Sequence, residues 1–147
     1  MTPEAMTALL TEHIPLCNFM QMRVTTLQDH HIAACAPFAP NCNMHHTGFA
    51  GSLYALAVAT GWAMTYHAMT RAGVKGQLVV KDATIHYRLP VTGDITLSAT
   101  LDESVTLPLR EHPLPNKIRL PLTVDICAGT RRCAWLEADY TIIPAHS

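Results

Sequence analysis

The stretch NCNMHHTGFAGS, residues 41 to 52, gathers two asparagines, two adjacent histidines, two glycines and a serine without a single carboxylate. Asn43 can donate an amide hydrogen bond to a developing oxyanion or hold a water, and His45 or His46 can act as a base near neutral pH. The apolar run that follows reads as a helix, so the backbone N–H groups around Gly48 to Gly51 stand at its start. Such groups lack intrahelical partners, and the helix dipole favours negative charge there, so a carbonyl oxygen at that end would be polarised. Gly48 and Gly51 permit a close approach, with Phe49, Ala50 and Ser52 beside them. Asn41, in the turn-forming context APNCN, belongs either to the site or to the turn itself.

An acid must come from further away. Between Asp29 and Asp82 the chain has no Asp or Glu. Asp82 is therefore the candidate carboxylate, unless it is a plain solvent-face residue. Ser52 has no acid or base at triad spacing, and Cys42-x-x-His45 with Cys35 and His46 lacks a second clean ligand pair, so neither a serine nucleophile nor a metal site is expected. Trp62 and Tyr66, four apart on the helix, read as core or as lining of an apolar pocket together with Leu56.

The elements that must hold these residues follow from apolar period. TPEAMTALLTEH has Thr2 as an N-cap and Pro3 in the first turn, which predicts a short amino-terminal helix. MRVTTL and HIAACAPF alternate around QDHH and predict a hairpin. One long helix spans about Phe49 to Ala72, without internal proline, and ends at Gly73. Then the period of two returns. In VVKDATIHYRL, Val79, Ala83, Ile85, Tyr87 and Leu89 share one face, and Asp82, Thr84, His86 and Arg88 the other. ITLSATL, IRLPLTVDI and CAWLEADYTII are three more strands, separated by turns at PVTGD, EHPLPN and AGTRR. Pro121 is expected at an edge or a bulge, because it cannot donate to a ladder.

A helix apolar nearly all round must be wrapped, and six half-polar strands supply one concave face. The fold expected is α+β, a hotdog: a curved six-stranded antiparallel sheet around one long central helix, preceded by the short helix. Ala50, Gly51, Ala55, Ala57, Ala59, Gly61 and Ala63 keep that helix slim. At 147 residues the chain fits one domain, residues 1–147.

Ten basic and eleven acidic residues give a formal net charge of -1, which offers no electrostatic footprint for nucleic acid or an anionic membrane. The amino terminus carries acidic residues where a secretory signal has basic ones, and no apolar stretch reaches the roughly 18 to 20 residues of a span, so a soluble, cytoplasmic protein is expected. The five cysteines are expected to be free thiols.

The order of elements resembles the hotdog acyl-thioesterases. PNCNMHHTGFAGSLYALAVATGW followed by IHYRLPV resembles a bacterial thioesterase branch found alone or as the C-terminal domain of acetyltransferase fusions. The resemblance covers nearly the whole chain, and its most specific part combines PNxN, GSLYALA and GW. It implies hydrolysis of an acyl thioester of coenzyme A or acyl-carrier protein. Coenzyme A or phosphopantetheine then enters as part of the substrate, without a separate cofactor. Assembly as a homodimer or dimer of dimers is expected, because a strand such as VVKDATIHYRL can pair with its copy. In such dimers Asp82 can lie across the site from the partner's helix. The phenylacetyl-CoA type of hotdog thioesterase carries N-x-x-G-x-x-H-G-G and a helix aspartate seven residues on. Asn43 and Gly51 match that pattern, whereas His46, Phe49, Ala50 and Val58 replace its first glycine, histidine, penultimate glycine and aspartate. The missing acid leaves two alternatives open, a non-catalytic acyl-thioester binding module and a hotdog hydratase or dehydratase.

Overall fold

The computed structural model describes residues 1–110 and 116–145. The turn expected at EHPLPN falls, save for Asn116, outside the described residues. Helix α1 spans Pro3–His13, and Thr2 caps it by accepting the Ala5 N–H at 3.1 Å. A five-residue helix α2, Pro15–Phe19, follows at once. Strands β1 (Arg23–Leu27) and β2 (His31–Ala36) form the hairpin, and α3 (Ala50–Arg71) is the long helix. Gly73, at φ +71°, lies just beyond its end, in the left-handed conformation that favours glycine. Strands β3 (Gly76–Tyr87), β4 (Ile95–Thr100), β5 (Ile118–Ala128) and β6 (Arg131–Pro144) complete the sheet, with a short helix α4 (Glu103–Thr106) between β4 and β5.

All neighbours pair antiparallel in the order β1-β2-β4-β5-β6-β3, so β1 and β3 are the edges. Leu53, Leu56, Ala57, Thr60, Gly61, Met64 and Ala68 of α3 are buried. They share the core with the alternating inward residues of β4 and β5: Ile95, Leu97 and Ala99, then Leu120, Val124 and Ile126. Their alternation is as expected. This is the hotdog arrangement.

Gly61 permits a close contact between the layers. The Tyr140 phenol of β6 passes where a Cβ at Gly61 would sit, and donates a 2.6 Å hydrogen bond to the Val58 carbonyl. A side chain at position 61 would push the sheet off the helix.

Among the departures from simple alternation, those in β3 and β5 bear on the sequence reading. A bulge between Val80 and Asp82 shifts the phase of β3. Leu78 therefore packs against the core together with Ala83 and Ile85, while Val79, expected on that face, is 39% exposed. Pro121 lies inside β5 opposite Asp139, but β4 reaches along β5 only as far as Val124, so on that flank the proline occupies a local edge. Among the described residues no helix is long and apolar enough to cross a membrane, and the five cysteines are free thiols.

Candidate functional site

The segment leading into α3 is a compact, internally bonded loop. Asn41 is fully buried, and its Nδ2 donates to the carbonyls of Met20 and Pro37, both at 2.9 Å. Its own carbonyl accepts the Phe49 N–H at 2.7 Å. Asn41 therefore ties three segments together, and its side-chain donors point inward to backbone rather than to a ligand. Asn43 organises the next turn. Its Oδ1 accepts the N–H groups of His45 (2.9 Å) and Thr47 (3.2 Å), and its Nδ2 lies 3.0 Å from the Thr47 hydroxyl. His46 closes this turn with φ +59°. Both histidine side chains are exposed.

What this loop delivers is an uncapped helix end. Phe49 occupies the N-cap position and has no side chain able to accept from the first turn. Helices usually place Ser, Thr, Asp or Asn there, a choice worth about 0.5–2 kcal/mol. The donors are shifted from the expected Gly48–Gly51 window. Gly48 N–H is consumed by the Val91 carbonyl (2.8 Å) and Phe49 N–H by Asn41, while the first intrahelical bond runs from Leu53 N–H to the Phe49 carbonyl. The N–H groups of Ala50, Gly51 and Ser52 have no protein partner among the described residues. Three adjacent donors at the positive end of a 22-residue helix suit a carbonyl or oxyanion oxygen.

Beside them lies a cavity of about 290 Å³ that brings together Asn43, Gly48, Ala50 and Leu53 with the segment Tyr87 to Val91. Tyr87 was absent from the sequence-derived site. Its hydroxyl donates to the Ala50 carbonyl at 2.8 Å, and burial, with Tyr54 nearby, pushes its pKa up. Its position on the inward face of β3 was readable from the alternation, but the residue it would meet was not. Arg88 brings a positive charge to the same cavity. Among the described residues no carboxylate lines it.

The remaining candidates lie apart. Asp82 pairs with Asp139, on the sheet face turned away from α3, in a shallow depression with Thr84 and Glu137. Within one chain it does not meet Asn43. Trp62 stacks on Tyr66 at 4.7 Å, nearly parallel, and lines a different cavity between α2 and α3. Val58, where the helix aspartate would stand, belongs to that second cavity's wall. Ser52 is half-buried in the first turn of α3. The Cys42 thiol donates to the Ala39 carbonyl at 3.4 Å.

A curved antiparallel sheet around one helix, with an uncapped helix start opening on a cavity, defines a hotdog-fold protein. Residues 4–144 match the family described as "Putative thioesterase (yiiD_Cterm)", and the chain belongs to that family. Solved structures agree. A protein from Shewanella oneidensis, described as a putative thioesterase, shares 30% identity over 97% of both chains with a TM-score of 0.86. One from Chlorobaculum tepidum, described as of unknown function, has 24% identity over 98% of both chains and a TM-score of 0.88. A third, from Pseudomonas aeruginosa and described as a probable thioesterase, has 24% identity, covers 99% of this chain and 97% of its own, and superposes with a TM-score of 0.85. The last two, at this identity, speak to the fold alone.

Proposed function

We propose that this protein hydrolyses an acyl thioester of coenzyme A or acyl-carrier protein, with the thioester oxygen seated on the N–H groups of Ala50, Gly51 and Ser52. The observation that carries this reading is the uncapped start of α3 beside a cavity, in a chain of a thioesterase family. Donors fixed before the reaction stabilise the developing oxyanion without reorganising, and this is commonly the largest single contribution to such catalysis. Asn43, held by its own turn, keeps a second amide hydrogen for the oxygen or for the attacking water. Arg88 suits the phosphate end of the carrier arm. His45 or His46 takes the water's proton, and free thiol and carboxylic acid are the products.

A second copy would cover the open edge of the sheet. Strand β3 is a 12-residue edge with Val79 and Val80 exposed, and pairing it with its copy about a two-fold axis would cover that edge and leave two sites per dimer. Asp82, on the outer face, is in this reading a surface residue rather than the base.

Incubation with a panel of acyl-CoAs and a thiol reagent tests the activity, and light scattering at micromolar concentration tests the assembly. Release of free coenzyme A by a dimer is expected. Binding without release would instead support an acyl-binding module, a reading favoured by one observation: Val58 stands in an apolar wall at the position where the phenylacetyl-CoA type motif would place its aspartate.

A further inference from the structure

Between α2 and α3 lies a second cavity, of about 340 Å³, whose lining is almost entirely apolar. Leu16, Cys17 and Met20 form one wall, and Val58, Ala59 and Trp62 the other. The polar groups among its lining residues are the Cys17 thiol, whose pKa burial raises, the Tyr54 hydroxyl and the Trp62 indole N–H. The cavity is aligned with the helix start. Gly51, Ala55, Val58 and Trp62, at i, i+4, i+7 and i+11, follow one stripe of α3. At 1.5 Å per residue, the free Gly51 amide stands about 16 Å above Trp62 along the axis. The Phe49 ring lies on Gly51 at the upper end of the stripe, where a Cβ would come within 2.6 Å of it. Trp62, backed by Tyr66, closes the lower end.

Resting on the thioesterase reading above, we infer that this cavity seats the acyl chain of the substrate, and that Ala59 and Trp62 set its maximum length. A straight chain leaving a carbonyl held at Gly51 runs down the stripe and meets almost entirely hydrocarbon and aromatic surface. A charged acyl group would be stranded there without an opposite charge, and a hydroxylated one would meet few partners, so the substrate class is an unsubstituted aliphatic acyl thioester. With each methylene taking about the 30 Å³ of a water, the space holds about ten, a medium-length chain. The missing acid at position 58 then has a use. A carboxylate in this wall would place a charge in an otherwise apolar lining.

The test measures turnover on saturated straight-chain acyl-CoAs of increasing length for wild type, Ala59→Leu and Leu16→Trp. Each extra methylene in an apolar pocket discriminates by about 10- to 200-fold. The inference expects both variants to lose at least about tenfold on the longest chains that wild type accepts, while the shortest chains are unchanged. Equal loss on all lengths in a folded variant overturns it, as does an unchanged profile accompanied by loss of the dimer, which would assign this face to the second copy. Leu16, half-exposed on a short helix, keeps the test open if Ala59→Leu does not fold. A binding assay separates this inference from the thioesterase reading. In a Trp135→Phe background, a bromine-tagged saturated fatty acid should quench Trp62 fluorescence whether or not the protein hydrolyses anything. Absence of quenching at saturating fatty acid overturns the cavity assignment alone.

Discussion

The Tyr87 hydroxyl donates a 2.8 Å hydrogen bond to the carbonyl of Ala50, joining the end of an edge strand to the first residue of the central helix. The two residues are 37 apart in sequence, and their contact fixes the helix start against the cavity that Asn43 lines. Tyr87→Phe keeps the ring and removes only the bond. Because Tyr87 is half-exposed, the fold should lose at most about 1 kcal/mol. Turnover should fall about tenfold, with little change in KM, if the bond aligns the amides for the transition state. Wild-type kcat in the phenylalanine variant would show that this alignment does not depend on Tyr87.

Asn43 has two separable tasks. Its Oδ1 accepts from His45 and Thr47, and its Nδ2 faces the Thr47 hydroxyl with one hydrogen to spare. Asn43→Ala removes both tasks, so turnover and melting temperature should fall together. Asn43→Asp keeps the acceptor that builds the turn and loses the donor. Its melting temperature should stay within a few degrees of wild type, while turnover drops on the order of a hundredfold to a thousandfold. An aspartate variant with undiminished turnover would reduce Asn43 to turn chemistry.

Asn41 should behave in the opposite way. Asn41→Ala leaves the Met20 and Pro37 carbonyls without the buried donor they share, at about 1–3 kcal/mol for each group left unsatisfied. For the two groups together, in a chain of this size, that is a melting temperature lower by roughly 4–24 °C. Thermal melts and kinetics on the same sample decide the matter. Loss of turnover without loss of stability would return Asn41 to the site.

These two asparagines show how far the residues alone could be read. Both stand in APNCN, and nothing in their spacing says that one side chain points into the core and the other lines a cavity. The alternation in ITLSATL and IRLPLTVDI was fully legible, because each keeps one phase over those residues, the irregularity in β5 falling only after Ile126. Strand β3 was not, since a bulge leaves no mark in residue type and it moved Val79 off the core face. Helix α2 is too short for a period of 3.6 to declare itself. Helix α4 did carry a cue, Asp102, whose carboxylate caps the Ser104 N–H at 2.8 Å. The open amides moved along the chain because Gly48 and Phe49 are bonded to Val91 and Asn41, which are long-range or loop contacts that no local pattern encodes.

His67 gives a prediction about pH. It is buried in α3, its Nδ1 has no partner among the described residues, and its pKa is lowered, first by burial and then by the positive charges of the amino terminus and Arg71, against the opposing charge of Asp29. A depressed folded-state pKa means that the unfolded chain binds a proton which the folded chain refuses. The stability contribution is therefore complete above pH about 6.5 and declines as pH falls from there toward the folded-state value. Urea melts between pH 8 and 5 should show this loss, and His67→Gln should flatten that part of the curve. An equally steep curve in the glutamine variant would place the acid sensitivity elsewhere.

The last prediction concerns Phe49 and Gly51. The Phe49 ring rests where a side chain at position 51 would be, at the helix start and at the upper end of the apolar stripe. The ring is 53% exposed, so it can swing away without opening the core. Gly51→Ala should therefore be folded and within about 1 kcal/mol of wild type, since alanine favours the helix and only a mobile ring must give way. Turnover should nevertheless fall, because the new methyl group and the displaced ring crowd the Gly51 amide. Phe49→Ala removes the ring. In that background the Gly51→Ala substitution should cost less, since only the methyl remains to obstruct the oxygen, and the double-mutant cycle should give an interaction of about 0.5–3 kcal/mol in transition-state binding. Strictly additive effects on kcat/KM would mean that the ring and the helix start act independently, and Phe49 would then be a surface residue with no share in placing the substrate.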